Sequence, residues 1–170
     1  MFVVLRDFEQ ELGTAVYTAF LFAQAEGRDL WQSPLLPMHL VAQATMLGAG
    51  SLAAIGVFTG LDAATLEVAF IVFGASIALD GFLVLVGELT VPHASEIAAR
   101  AAHAITHGKY AGQFWWGSIG LGHVVPLGLL AVGHVANIPA VGLVAFIAAT
   151  VGLYAYEHAF VMAPQEVPNS

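Results

Sequence analysis

The residues of this sequence that could do chemistry are acids and histidines set within long apolar stretches. Asp80 and His123 each lie near the middle of such a stretch, well away from any Lys or Arg. A carboxyl group and an imidazole can hold and release protons at a bound substrate. Because an acid at the centre of a bilayer costs about 2.5–3.5 kcal/mol even on lenient scales, each needs a partner, a cavity or a function.

The remaining candidates lie closer to the ends of these stretches. Counting about 1.5 Å per residue from the nearest end puts Asp80 and His123 near mid-membrane at matching depth. The same count places a group near one interface: His39, Glu88, Tyr154, Tyr156, Glu157 and His158. Glu67 and His134 fall toward the opposite face. We predict that Asp80 and His123 are neighbours in one polar cavity.

This polar column has two interpretations. A column from one interface to mid-membrane suits proton uptake or a quinone headgroup site. Ordinary hydrogen bonds between helices would also account for the same residues. In addition, side chains near an interface can reach water at little cost. For quinone binding or a proton relay, we select six residues: Asp80, His123, Glu88, His39, His158 and Tyr156. No catalytic residue and no metal ligand is assigned.

The elements that position these side chains are predicted membrane spans. The chain has 170 residues, of which 59% are apolar and 9% charged, and its mean hydropathy is +0.83. About a quarter of the residues of soluble domains are charged, so this chain has too few charges to cover a surface that faces water. Residues 34–60, 63–90, 112–136 and 139–163 are each long enough to cross a core of about 30 Å, and 12–25 form a partial span. We expect an all-α integral membrane bundle of four to five transmembrane helices, making one domain over residues 1–170.

The link between the third and fourth full-length spans is neither apolar enough to cross nor loop-like. Within residues 93–108, Ile97, Ala101 and Ile105 recur at helical spacing, which predicts an interfacial amphipathic helix. If each span crosses once, this link, residues 26–33 and the C-terminal tail share one side. More Lys and Arg fall on that side than on the other, so the positive-inside rule makes it cytoplasmic.

Two classes of function are excluded by composition. The chain has no Cys, so it cannot supply thiolate ligands to an iron-sulfur cluster or a metal. Its net charge of -8, from four basic and twelve acidic residues, argues against nucleic acid as a partner because binding to phosphates needs a basic patch.

Several segments resemble the NrfD family, the membrane subunits of polysulfide-reductase-like oxidoreductases. The similar features are SPLLP opening the first full-length span, Gly87-Glu88 closing the next, FWWG opening the one after, and a Tyr-rich last helix. The resemblance covers about residues 12–165 and corresponds to the C-terminal half of longer family members. The family's quinone pocket is built largely from N-terminal helices, so our six site residues come from depth and chemistry.

The resemblance implies a haem-free, multi-pass subunit in the inner (cytoplasmic) membrane, serving a respiratory chain. Such a subunit binds menaquinone or ubiquinone and exchanges electrons with an iron-sulfur partner subunit. That partner serves a catalytic subunit of the molybdopterin or multihaem type. The anchor alone would be non-catalytic or would react only with quinone.

Two other functions stay open from the residues alone. A b-type cytochrome would need two His at equal depth on facing helices, and by our count only His39 and His158 meet that condition. A small proton or ion transporter would use the acids without a redox partner.

Overall fold

The computed structural model of the chain describes the backbone of residues 2–167, and the side chains in that range except residues 2–9, 11, 12, 15 and 88. Every regular element in this part is helical, so the predicted all-α class is confirmed. The elements are α1 (Phe2–Ala23), a 3₁₀ turn (Asp29–Gln32), α2 (Leu36–Thr59), α3 (Ala63–Leu89), α4 (Glu96–Thr106), a π-helical segment (Gln113–Val124), α5 (Val125–Ala136) and α6 (Val141–Glu166).

Four helical stretches of the described chain are long and apolar enough to cross a membrane. They are Leu36–Thr59, Ala63–Gly87, Gln113–Ala136 and Val141–Glu166. Large apolar side chains point outward along them, including Phe58, Phe82 and Val135, which are 74%, 62% and 86% exposed. Contact between such an apolar surface and lipid has no free-energy cost, whereas contact with water does. The chain is a multi-pass membrane protein.

Helix α1 extends beyond the partial span that we predicted at residues 12–25. It begins at Phe2 and runs through the charged segment RDFEQE. Arg, Glu, Gln and Leu are all strong helix formers, so the segment is helical. Its charges exclude it from the apolar span but do not end the helix.

A tight turn sets α2 against α3, the most extensive helix pair of the bundle. Gly60 ends α2 with a left-handed φ of 71°, and the Asp62 carboxylate caps α3 by accepting a hydrogen bond from the Thr65 N–H at 3.0 Å. The hydrogen bonds from Thr65 hold the pKa of Asp62 below its usual value. With so short a connection, α2 and α3 run antiparallel and their polar residues meet at matching heights.

The amphipathic link forms α4, which lies against the bundle. Ala98, Ala101 and Ile105 are buried on one face, packing on α6 and the 3₁₀ turn, while Arg100 and Glu96 are exposed and paired at 3.5 Å. This distribution of apolar and charged residues follows the helical period that the sequence predicts.

Ionic contacts join the chain just after α4 to the end of α6. Lys109 Nζ and the Tyr110 hydroxyl both donate to Glu166 Oε1, at 2.6 and 2.9 Å. The hydrogen bond to Glu166 raises the pKa of Lys109. The link and the end of α6 therefore lie at the same end of the bundle.

Candidate functional site

The wall of the site is a π-helical segment held against α6 by glycines. A Cβ on Gly152 would lie 2.0 Å from Gly122 Cα, so the two backbones touch and neither position has room for a side chain. The segment ends where Pro126, at the start of α5, has no N–H to continue the ladder. A π-helix pairs residue i with residue i+5, which places His123 over Ser118.

Asp80 lies between two imidazoles at the centre of the bundle. Its Oδ1 is 3.2 Å from His39 Nδ1 on α2, and its Oδ2 is 3.2 Å from His123 Nε2 on the π-helical segment. The three side chains are buried, with Asp80 only 1% exposed. A buried carboxyl group needs hydrogen bonds to both oxygens, and the two histidines supply them. The predicted proximity of Asp80 and His123 is confirmed.

The surroundings of His123 restrict where its protons can be. Its Nδ1 lies 2.8 Å from the Ser118 carbonyl oxygen, which can only accept, so Nδ1 carries a hydrogen and donates it. Nε2 then either carries a second proton, facing an Asp80 carboxylate, or accepts a proton from the Asp80 carboxyl. In both cases one proton lies between Asp80 and His123, and moving it changes which residue is charged.

The two ring nitrogens of His39 have different surroundings. Nδ1 faces Asp80, whereas no hydrogen bond joins Nε2 to any of the side chains that the structure describes. Its ring stacks on Tyr156 with centroids 5.9 Å apart, which fixes its plane. A Cβ on Gly87 would lie 3.8 Å from Nε2, so the backbone of α3 passes close to this edge of the ring.

Two further polar residues near this group escaped sequence analysis. Gln43 is 5% exposed, follows His39 by one turn of α2, and leaves its Nε2 without a hydrogen bond to any described residue. The Ser118 hydroxyl is enclosed and equally unpaired. The spacing of four residues from His39 to Gln43 was a usable signal. Ser118 gave none, because only the π-helical register relates it to His123.

Glu157 on α6 also belongs to this region. Sequence analysis placed it in the interfacial group but did not select it as a site residue. It is partly buried and directly follows Tyr156, whose ring stacks on that of His39.

Depth counting misplaced His39 relative to Asp80. We expected His39 near one interface and Asp80 near mid-membrane, yet their side chains are in contact. Counting residues locates only the backbone along an untilted helix, and it neglects both helix tilt and side-chain reach. Tyr156, selected together with His39, is buried against it as described above.

His158, which was also selected from the sequence, is not part of this group. His158 is exposed, and its Nδ1 accepts from Gln113 Nε2 at 3.1 Å. Residues two apart on a helix point in nearly opposite directions, so His158 faces outward while Tyr156 faces His39. His39 and His158, the two histidines that met the depth condition for a haem pair, therefore do not face each other. The Glu88 side chain lies outside the described residues.

A separate cavity of about 810 Å³ opens at the other end of the bundle, between α3, α5 and the start of α6. Glu67, His134 and Asn137 contribute polar groups to walls that are otherwise mostly apolar. Glu67 and His134 were expected toward this face, and the structure places both beside one cavity. Neither Asp80 nor either of its histidines lines it.

Comparison with known proteins gives one match. The family model described as "Polysulphide reductase, NrfD" matches residues 8–168. No curated protein and no solved structure matches the chain significantly. Because the match extends over nearly the whole sequence, the chain belongs to the NrfD family of polysulphide reductase proteins.

Proposed function

We propose that this protein is the membrane anchor subunit of a quinone-linked oxidoreductase complex in the inner membrane. In this proposal, His39, Asp80 and His123 exchange protons with the quinone, either menaquinone or ubiquinone. Membership of the NrfD family supports the class of complex. The choice of residues depends on the geometry of this chain.

One observation carries the proposal: a carboxyl group inside membrane-spanning helices contacts an imidazole on each oxygen. Oxidation of a quinol releases two electrons and two protons, so a quinone site needs groups that take up or supply protons without water. A single proton between Asp80 and His123 meets this need because it can shift without moving either helix. Buried ionisable groups in membrane proteins are by default functional.

His39 is suited to contact the quinone itself. A neutral His39 whose Nδ1–H points at Asp80 has an unprotonated Nε2, which can accept a hydrogen bond from a quinol hydroxyl. When Nε2 takes that proton, the ring becomes an imidazolium, and the Asp80 carboxylate at 3.2 Å stabilises the new charge. Run in reverse, the same group donates a proton to a reduced quinone oxygen. When bound, the quinone supplies the electron chemistry.

Electrons must leave this subunit through a partner. Since the chain has no Cys, it cannot bind an iron-sulfur cluster through thiolates. We propose that an iron-sulfur subunit docks on it and transfers electrons to or from a catalytic subunit of the molybdopterin or multihaem type. Co-purification with a tagged chain, followed by assay of iron and acid-labile sulfide, tests this part.

Quinone binding is tested by titrating the complex with a short-tailed quinone and following the quenching of Trp fluorescence. His39→Leu removes the nitrogen proposed to bind the quinone, and we expect a loss of affinity of about tenfold, equal to about 1.4 kcal/mol. His158→Leu is the matched control because that imidazole is exposed and away from the site. Equal affinities in the two variants would contradict the proposal.

A further inference from the structure

We infer that the cavity between α3, α5 and the start of α6 binds one phospholipid with a primary amine headgroup, phosphatidylethanolamine. The site is separate from Asp80 and its histidines, so the inference does not depend on the proposed function. The cavity volume of about 810 Å³ is within the range of about 300–1,000 Å³ that is typical of small-molecule sites. The arrangement of the cavity walls, their charge and their aromatic content each support a lipid of this kind.

The polar and apolar residues of the cavity are separated along its depth. Glu67 is in the second turn of α3 and His134 is in the last turn of α5, so both lie near the end of the bundle. Gly74 and Leu127 line the cavity two turns deeper on the same two helices, about 10 Å toward the centre. The cavity therefore has a polar mouth and an apolar interior, as a lipid headgroup and its acyl chains require.

The interior has space for an acyl chain because small residues line it. Gly74, Ala75 and Ala131 form part of the α3 and α5 walls, and the ring of Phe70 packs against the α6 backbone at Gly142. Ala75 and Ala131 are exposed on membrane-spanning helices, so this side of the cavity opens to the bilayer. An acyl chain gains dispersion contacts with apolar walls that an empty space would lack, and water does not fill such a space.

The mouth of the cavity offers both an acceptor and donors. The side chains of Glu67, His134 and Asn137 are exposed there, and none makes a hydrogen bond or ion pair with another described residue. A carboxylate accepts hydrogen bonds from an ammonium group, whereas the N–H groups of an imidazole and an amide donate to phosphate oxygens. A headgroup that carries both an ammonium and a phosphate would use all three side chains.

The charge of the cavity walls disfavours an anionic lipid. No Lys or Arg occurs between Arg28 and Arg100 or after Lys109, so the helices that form the cavity have none. Anionic headgroups bind where several Lys and Arg residues cluster. The first turns of α3 instead have two acids, Asp62 and Glu67, which attract a cation.

The aromatic content of the walls favours a primary ammonium over choline. Sites for quaternary ammonium groups are typically cages of several aromatic rings. Among the described residues, Phe70 is the only aromatic residue that lines this cavity. A primary ammonium can donate hydrogen bonds to Glu67, which choline cannot do. The walls therefore fit ethanolamine better than choline.

The test is native mass spectrometry of the full-length chain in lipid-free detergent, titrated with an equimolar mixture of three dioleoyl lipids. These are the phosphatidylethanolamine, the phosphatidylcholine and the phosphatidylglycerol, which differ in mass. We expect the first to bind about fivefold more tightly than the other two, on the order expected for one exposed charged hydrogen bond. Glu67→Gln should remove this preference. Glu96→Gln is the matched control, because it changes an exposed acid on α4, and it should keep the preference.

A second variant tests the apolar interior. Ala75→Phe fills the space beside α3 and should lower the affinity for phosphatidylethanolamine by about tenfold or more. Ala78→Phe is its matched control, because Ala78 is exposed on the same helix but does not line the cavity. Equal binding of the three lipids, tighter binding of phosphatidylglycerol, or an unchanged preference in Glu67→Gln would overturn the inference. Displacement of the bound phosphatidylethanolamine by a short-tailed quinone would overturn it as well, since the cavity would then be a quinone site.

Discussion

His123 Nε2 lies 3.2 Å from Asp80 Oδ2, while the Nδ1 of the same ring lies 2.8 Å from the Ser118 carbonyl oxygen. The carbonyl fixes a hydrogen on Nδ1, so the remaining ring nitrogen shares a single proton with the carboxyl group. A backbone atom of the π-helical segment thereby determines the proton chemistry of an acid on another helix.

Replacing Asp80 by Asn should separate its proton chemistry from its structural role. The amide keeps the shape and most hydrogen bonds, so the fold and assembly should persist, whereas quinol turnover should fall by 100-fold or more, on the order expected for loss of an acid or base. Quinol oxidation by the purified complex, normalised to assembled complex, is the measurement. Glu67→Gln changes an exposed acid on the same helix and should have little effect. Impaired assembly with normal turnover per complex would indicate a purely structural contact.

Gly81 should be intolerant of even one methyl group because of its proximity to His123. A Cβ at Gly81 would lie 2.8 Å from His123 Cδ2, too close unless the ring moves. Gly81→Ala should therefore lower turnover by about tenfold or more through misplacement of the imidazole, with smaller effects on assembly. Gly74→Ala on the same helix meets only Leu130 Cδ1 at 3.5 Å and should retain activity. Equal turnover in the two variants would show that the position of His123 is not critical.

Because Gly152 touches Gly122, replacing Gly152 by Ala should lower the stability of the bundle more than the same change at a glycine without close neighbours. Gly152→Ala places a Cβ 2.0 Å from backbone Gly122 Cα, so α6 and the π-helical segment must separate, at a cost of about 1–3 kcal/mol. The control, Gly48→Ala, has no neighbouring atom within 4 Å and gains helix propensity, so it should be neutral or slightly stabilising. Thermal unfolding in detergent, followed by circular dichroism, gives both values. A melting temperature for Gly152→Ala at or above that of Gly48→Ala would contradict the observed contact.

The link containing α4 and the end of α6 should be accessible from the same side of the membrane. Single Cys residues at Ser95 and Gln165 can be labelled with an impermeant maleimide without interference, since the chain has no native Cys. A Cys at Asn137, in the turn between α5 and α6, should be labelled from the opposite side. We use Gln165 because Ser170 lies outside the described residues. Labelling of Ser95 and Gln165 from opposite sides would mean that the number of spans is wrong.

The sequence by itself determined the class of the protein and most of its candidate residues. Low charge and four long apolar stretches leave a helical membrane bundle as the only arrangement that satisfies the backbone in lipid. The cost of a mid-membrane acid selected Asp80 and His123, and their matching depth predicted the contact that the structure has. These inferences succeed because the hydropathy of a span and the depth of a residue within it follow directly from the order of residues along the chain.

Only the tertiary structure decided which of the remaining polar residues join that pair. His39 reaches Asp80 although its backbone depth suggested otherwise, and His158 points outward although the depth count placed it level with His39. The hydrogen bond from His123 to Ser118 depends on a π-helical register that propensity and hydrophobic period do not reveal. That register coincides with a contact between Gly122 and Gly152 that packs one helix backbone directly against another. Side-chain direction and helix register are set by the packing partner, which a sequence read as separate spans does not contain.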